Sequence, residues 1–182
     1  EVDRLGEGSV QIEARQTDAV GNFHEGGPAT SSFVIDTIVP EVVAIADDQD
    51  GIAFDGANTV TYTLSFSEAV QAIDETDLTV TGADGYTVSH DAGSDTASVT
   101  VTVADNSMEN VSVSVNSSIV DIAGNPLIEV VDDSQTVDTV NPEAPIISVS
   151  DNDATEGDAG AGVFTVTGEA GSSIEVTLTG EI

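Results

Sequence analysis

Two short stretches of this chain recur at a distance. Asp18-Ala19-Val20-Gly21-Asn22 returns as Asp121-Ile122-Ala123-Gly124-Asn125, 103 residues further on. Asp36-Thr37-Ile38-Val39-Pro40 returns as Asp138-Thr139-Val140-Asn141-Pro142, displaced by 102. A period of about 100 residues is well beyond the 20–50 of a solenoid, so each unit must be a domain with its own core. Residues 41–140 are then one complete domain. Residues 1–40 supply the last strands of a preceding domain and a linker, and residues 141–182 supply a linker and the first strands of a following one. Both ends read as cuts through a longer chain, and Glu1-Val2-Asp3-Arg4 is not a signal peptide.

Between the repeated motifs the sequence alternates with period two. Val60, Tyr62, Leu64 and Phe66 are separated by Thr61, Thr63 and Ser65. Val99, Val101 and Val103 alternate with Thr100 and Thr102, and Val111, Val113 and Val115 with Ser112 and Ser114. Each run is a strand with one dry and one wet face. Further runs near 42–45, 78–80, 86–88 and 127–137 bring the domain to about seven strands, separated by Gly, Asn, Asp and Ser. No segment carries a helical period. About seven short strands in some 100 residues predict an all-β chain of tandem immunoglobulin-like antiparallel β-sandwiches. In the flanks, Val10, Ile12 and Ala14 form one strand and Phe33 and Ile35 another, while Phe164 with Val166 and Ile174, Val176, Leu178 begin the third unit.

Charge narrows the function. The chain has 34 acidic residues against two basic ones, Arg4 and Arg15, with no Lys, for a net charge of −32. That sign excludes nucleic acid and anionic membrane surfaces as partners. No apolar stretch is long enough for a membrane span. Two cations cannot neutralise 34 carboxylates, so the balance must come from bound cations or a salty medium. With no Cys there is neither a disulfide framework nor a thiolate metal site.

Phe66-Ser67-Glu68-Ala69-Val70, Asp77-Leu78-Thr79-Val80 and Asp121-Ile122-Ala123-Gly124-Asn125 together resemble the bacterial immunoglobulin-like repeats of giant adhesins. Thr167-Gly168-Glu169-Ala170-Gly171-Ser172 resembles a sister class of the same repeats, and the Asp-Thr-x-x-Pro junctions occur in both. The likeness covers essentially the whole chain. It implies a bead on a stalk, often stiffened by Ca²⁺, in a type I-secreted, RTX-type extracellular protein of a Gram-negative cell surface, with adhesive work or biofilm attachment done by other domains.

Calcium takes six to eight oxygen ligands, chiefly carboxylates and carbonyls. In a seven-stranded sandwich, Asp121 and Asn125 lie between the last two strands, Glu68 ends the second strand, and Asp36 arrives from the preceding linker. All four belong to the upstream pole, and the expectation is an interdomain Ca²⁺ site. The plainer reading is that Asp121 and Asn125 only shape a tight turn with Gly124. Asp18 and Asn22 hold the equivalent turn. At the downstream pole Asp47, Asp48 and Asp50 crowd one loop near Asp138. This is not an EF-hand, because Ala46 and Ala57 fall where its first and twelfth ligands belong. Asp151 and Asp153 mirror that loop in the third unit.

Catalytic constellations do not assemble. His24 and His90 are isolated, and there is no thiol, no Gly-x-Ser-x-Gly elbow and no phosphate-loop Lys. The two Tyr read as core, leaving no aromatic platform for sugar. The chain is therefore expected to be a non-enzymatic, monomeric spacer whose partners are neighbouring repeats of its own chain. The competing readings are a module that grips a protein or glycan, and an accessory domain of a secreted hydrolase.

Overall fold

The computed structural model describes residues 5–54, 56, 58–149 and 164–180. The chain forms two compact units, Glu1–Thr139 and Val140–Ile182. The described residues are all-β, with one 3₁₀ turn at Glu75–Asp77. No helix among them is long and apolar enough to cross a membrane.

The first unit begins with the hairpin β1 (Gly8–Ala14) and β2 (Ala29–Ile35). Then follow β3 (Val42–Asp47), β4 (Ala53–Phe54), β5 (Thr59–Phe66), β6 (Leu78–Thr81), β7 (Ala83–Ser89), β8 (Thr96–Val103), β9 (Val111–Val115), β10 (Asp132–Gln135) and β11 (Val137–Asp138). One antiparallel sheet has the order β3-β5-β8-β7 and another β10-β9-β6, while β4 and β11 pair in parallel. The alternation seen in the sequence sets the faces. Val60, Tyr62, Leu64 and Phe66 of β5 and Val99, Val101 and Val103 of β8 point inward, and meet Val111, Val113 and Val115 of β9 and Leu78 of β6. Two sheets thus share one core, as in a β-sandwich. The Tyr62 hydroxyl, fully buried, donates across it to the Val111 carbonyl at 3.4 Å. Tyr86 is half-buried, and its hydroxyl donates to the Glu75 carbonyl at 2.9 Å.

Turns fix the register. Gly82, between β6 and β7, has φ +72°, and a Cβ there would stand 2.1 Å from the Asn110 carbonyl oxygen. Asp74 caps the 3₁₀ turn, accepting from the Thr76 N–H, while Asp77 accepts from the Asp74 N–H. The seventh apolar run is only partly strand. Residues 127–131 lie outside the ladder, with Leu127 buried but Ile128 and Val130 exposed, and pairing with β9 starts at Asp132. The two-residue β4 had no signal in the sequence, being too short to show a period.

The second unit contains the hairpin β12 (Ile146–Val149) and β13 (Phe164–Thr167). Its register repeats that of β3 and β5. Ala44↔Ser65, Ile45↔Leu64, Ala46↔Thr63 and Asp47↔Tyr62 become Ile146↔Thr167, Ile147↔Val166, Ser148↔Thr165 and Val149↔Phe164, displaced by 102 residues on both strands. The bridge Thr17↔Phe23 likewise becomes Val120↔Pro126 at 103. At these two places the sequence period is also a period of strand pairing; the β1–β2 ladder is not repeated in β9–β10, where Val10↔Phe33 would become Val113↔Gln135 but Val113 pairs with Asp133.

Candidate metal centre

Three segments of the first unit are laced together beside the end of β5. Ser67 and Glu41 exchange hydrogen bonds: the Ser67 N–H donates to the Glu41 carbonyl at 2.9 Å, and the Glu41 N–H to Ser67 Oγ at 3.0 Å. Val70 bridges to Asp121, and the Gln71 N–H donates to the Val120 carbonyl at 2.9 Å. Asn125 Nδ2 reaches the Asp36 carbonyl at 3.1 Å. The stretch after β2, the turn after β5 and the turn between β9 and β10 are thus held as one cluster.

This lacing gathers three carboxylates. Asp36, Glu68 and Asp121 each offer an oxygen, and the three oxygens lie within 4.8 Å of one another. Among the described residues no other group of three or more Asp, Glu, His or Cys meets that condition. Asp121 is buried, and Asp36 and Glu68 are half-buried. Asp121 Oδ1 accepts from the Gly124 N–H at 2.6 Å and the Asn125 N–H at 2.8 Å, and Oδ2 accepts from Asn125 Nδ2 at 2.7 Å. Burial pushes its carboxyl upward, but these bonds from Asn125 and Gly124, with help from the Ala123 backbone, outweigh it and hold the pKa below the ordinary value. Asp121 therefore stays ionised. Glu68 goes the other way: burial, then the charges of Asp36 and Asp121, raise its pKa.

Three carboxylates this close repel one another, and a bound cation would relieve that repulsion. Arg15 is paired with Glu13 at 2.5 Å, and Arg4 lies outside the described residues. The donor set is all oxygen, which suits a hard cation and not zinc or copper. Ca–O distances of about 2.3–2.6 Å let opposite ligands stand roughly 5 Å apart, so a single ion can touch all three carboxylates. Carbonyls and water would complete its shell. Glu7 supports the same place. It accepts from the Thr37 N–H, with both oxygens at 3.1–3.2 Å, and from the Thr37 hydroxyl. Glu7, Asp36, Ser67 and Glu68 line an open groove of about 410 Å³. Nothing in the sequence marked Glu7, because its partner Thr37 is 30 residues away.

Asn125 lies in the cluster, but its amide NH₂ group faces two acceptors, Asp121 Oδ2 and the Asp36 carbonyl. In this orientation it positions the carboxylate and joins it to the linker. Asp18 and Asn22 build the same turn. Asp18 Oδ1 accepts from the Asn22 N–H at 2.8 Å and Oδ2 from Asn22 Nδ2 at 2.8 Å, with Gly21 at φ +94° where Gly124 has +97°. Asp18 is exposed and, among the described residues, joins no group of three carboxylates.

At the downstream pole Asp47 Oδ1 accepts from the Gln49 N–H at 2.8 Å. Asp48 Oδ1 accepts from the Thr61 N–H at 2.9 Å, and this bond lowers its pKa. Asp50 is exposed, and Asp138 sits in β11 opposite Phe54. The structure does not bring three of these four carboxylates into one group. Asp151 and Asp153 lie outside the described residues. His90 closes a loop: its Nδ1 accepts from the Ile73 N–H at 3.3 Å and its Nε2 faces the Ser94 carbonyl at 3.3 Å. Comparison with known protein families, curated proteins and solved structures gave no match.

Proposed function

We propose that this chain is a structural extender: tandem immunoglobulin-like sandwiches whose junction is stiffened by Ca²⁺, acting in the stalk of an extracellular adhesin at a bacterial cell surface. The observation that carries the reading is the convergence of Asp36, Glu68 and Asp121 from three separate segments to within 4.8 Å. One of the three lies on the stretch that joins the β1–β2 hairpin to the sandwich, so an ion there ties the two together. The strand orders support the immunoglobulin-like part, since β3-β5-β8-β7 opposite β10-β9-β6 is the four-and-three division of a constant-type domain. The repeated register and turns support the tandem part. The adhesin setting rests on the motif resemblance and the charge of −32.

The test is a thermal scan in chelator and in Ca²⁺ at matched ionic strength. An ion that binds only the folded state stabilises it by RT ln(1 + [L]/Kd), about 2.7 kcal/mol at a hundredfold excess over Kd. The melting midpoint should rise in Ca²⁺, and an unchanged midpoint would falsify the cation part of the reading. Small-angle scattering on chains of increasing repeat number tests the extender part: maximum dimension should grow linearly with repeats in Ca²⁺.

A further inference from the structure

Among the described residues three polar side chains are buried: Asp121, Gln135 and Thr139. The metal centre accounts for Asp121. The other two bracket β11, the last strand of the sandwich. Gln135 Nε2 donates to the Gly51 carbonyl and, at 2.9 Å, to the Thr136 carbonyl. The Ala53 N–H donates to that same Thr136 carbonyl at 3.0 Å, and Val137 and Asp138 then pair in parallel with Ala53 and Phe54 of β4. Past β11 the chain is held again. The Thr139 N–H donates to the Ser107 carbonyl at 2.8 Å. Its hydroxyl donates to the Ala104 carbonyl at 2.7 Å and accepts from the Ser107 N–H at 2.9 Å. Thr139 is the Thr of the second Asp-Thr-x-x-Pro motif and the last residue of the first unit. A buried polar group costs stability unless it is hydrogen-bonded, so two of them around a two-residue strand call for a reason.

We propose that β4 and β11, with Gln135 and Thr139, form a clamp that keeps the sandwich closed when the chain is under tension. A pull along the chain enters the sandwich at Glu41 and reaches β4 from its N-terminal side through β3, which is itself paired to β5 from Val42 to Asp47. It leaves through Thr139 and so draws β11 from its C-terminal side. Because β4 and β11 run parallel, those two pulls slide one strand past the other in opposite directions. The bonds between them are then loaded together. An antiparallel hairpin pulled at its open end instead parts one pair at a time. Peeling from either loaded end is blocked by one of the two buried polar side chains. Gln135 fastens Gly51, just before β4, and Thr139 fastens the end of β11 to the turn at 104–107. Forced unfolding is governed by the unfolding rate and not by equilibrium stability, and a step that must break several bonds at once is slow. The inference rests on the extender reading, which is what puts the chain under tension, and it does not involve the cation.

The experiment is single-molecule stretching of the full chain at constant force, in chelator throughout, with the lifetime of the folded sandwich as the readout. Pulled through the two termini, its unfolding is recognised by the release of residues 41–139, roughly 330–360 Å of extended chain. The chain has no Cys, so introduced thiols can fix other pulling points. Handles at Asp84→Cys and Asp105→Cys open the antiparallel β7–β8 ladder from its Ala83↔Val103 end. At equal force the sandwich should last far longer under terminal pulling than that ladder does. Gln135→Met keeps the size of the side chain and loses both donations. It should shorten the terminal lifetime about tenfold, the worth of one or two net hydrogen bonds, and leave the opening of β7–β8 unchanged. Thr139→Val, a second and independent variant, should shorten the terminal lifetime likewise. Equal lifetimes in the two pulling geometries overturn the clamp. So do folded variants whose terminal lifetime matches that of wild type, or a Gln135→Met chain weakened alike in both geometries, which would make Gln135 a packing residue only. The scattering series that tests the extender reading is a separate measurement, so the two readings can fail apart.

Discussion

Replacing Glu68 by Gln should shift stability in opposite directions with and without calcium. Unit charges 4.8 Å apart repel by about 3.5 kcal/mol at an effective dielectric near 20 and by about 0.9 kcal/mol in water. Glu68 faces two such neighbours, Asp36 and Asp121. It is half-exposed, so the watery value is the nearer guide, and relief of about 1–2 kcal/mol is expected from Glu68→Gln in chelator. For a domain of about 100 residues this is a rise of roughly 5–10 °C in melting midpoint. In Ca²⁺ the same change removes a charged ligand, so the calcium-induced rise should shrink sharply. The pH profile carries the same information. Glu68 has a raised pKa in the folded protein, so the folded state holds its proton more tightly than the unfolded one. Its contribution is complete below the ordinary value of 4.5 and fades as pH rises through the folded value. Wild type in chelator should therefore lose stability relative to Glu68→Gln as pH rises through that window, and Ca²⁺ should abolish the difference in slope by taking the proton's place. Differential scanning calorimetry in the four combinations of variant and ion measures all of this. If Glu68→Gln melts lower than wild type in chelator, the carboxylates do not repel one another as argued and the site has lost its physical basis.

Asp121→Ala should cost more than any charge relief returns. It strips the acceptor from the Gly124 and Asn125 N–H groups, for a loss of about 2 kcal/mol or more in chelator as well as in Ca²⁺; equilibrium urea unfolding reads it directly. Tyr62 governs the alkaline limb. Burial first, then the charges of Asp47 and Asp133, push its pKa up to about 12, so folding retains a proton that the unfolded chain gives up near 10. Stability should fall as pH rises from 10 toward 12, and Tyr62→Phe should flatten that fall. At neutral pH the substitution should cost little, because the bond it removes is long at 3.4 Å; unfolding curves at pH 7 and at alkaline pH compare the two.

The fold was legible wherever one face of a strand is dry. β5, β8 and β9 alternate without a break because each lies on the shared core, and their inward residues could be named from the sequence. β4 could not, since two residues carry no period. Only the start of the 127–137 run misled, for a physical reason: Ile128 and Val130 are apolar but exposed, and the ladder with β9 begins at Asp132. In the site, Asp36, Glu68 and Asp121 could be brought together by reasoning about the poles of a sandwich, because strand ends and linkers fix poles. The orientation of Asn125 and the clamp of Glu7 on Thr37 could not, since they depend on side-chain directions and on contacts far apart in sequence.

The two Asp-x-x-Gly-Asn turns separate what the motif does from what the junction does. Both fold alike: the Asp side chain accepts the Asn N–H and the Asn amide, and the Gly takes a positive φ. The motif is sufficient for the turn, so the turn alone is no sign of a metal. What differs is the company. Asp18 is exposed, and hydrogen bonds from Asn22 first, then from the Val20 and Gly21 backbone, hold its pKa below the ordinary value. Asp121 is buried with the carboxylates of Asp36 and Glu68 beside it. In the function proposed above, a turn that keeps a carboxylate ionised by its own N–H groups would become a cation site once a linker and a strand end deliver two more. That proposal assigns the chemistry to the junction, with the repeated motif as the part of it that every unit can carry in advance. Grafting tests this division. An isolated peptide spanning residues 116–130 should form the turn yet show no calcium-dependent change in its amide spectrum. The first unit should show that change at Asp36, Glu68 and Asp121 together, and a peptide that responds to calcium as the whole unit does would place the chemistry in the motif instead.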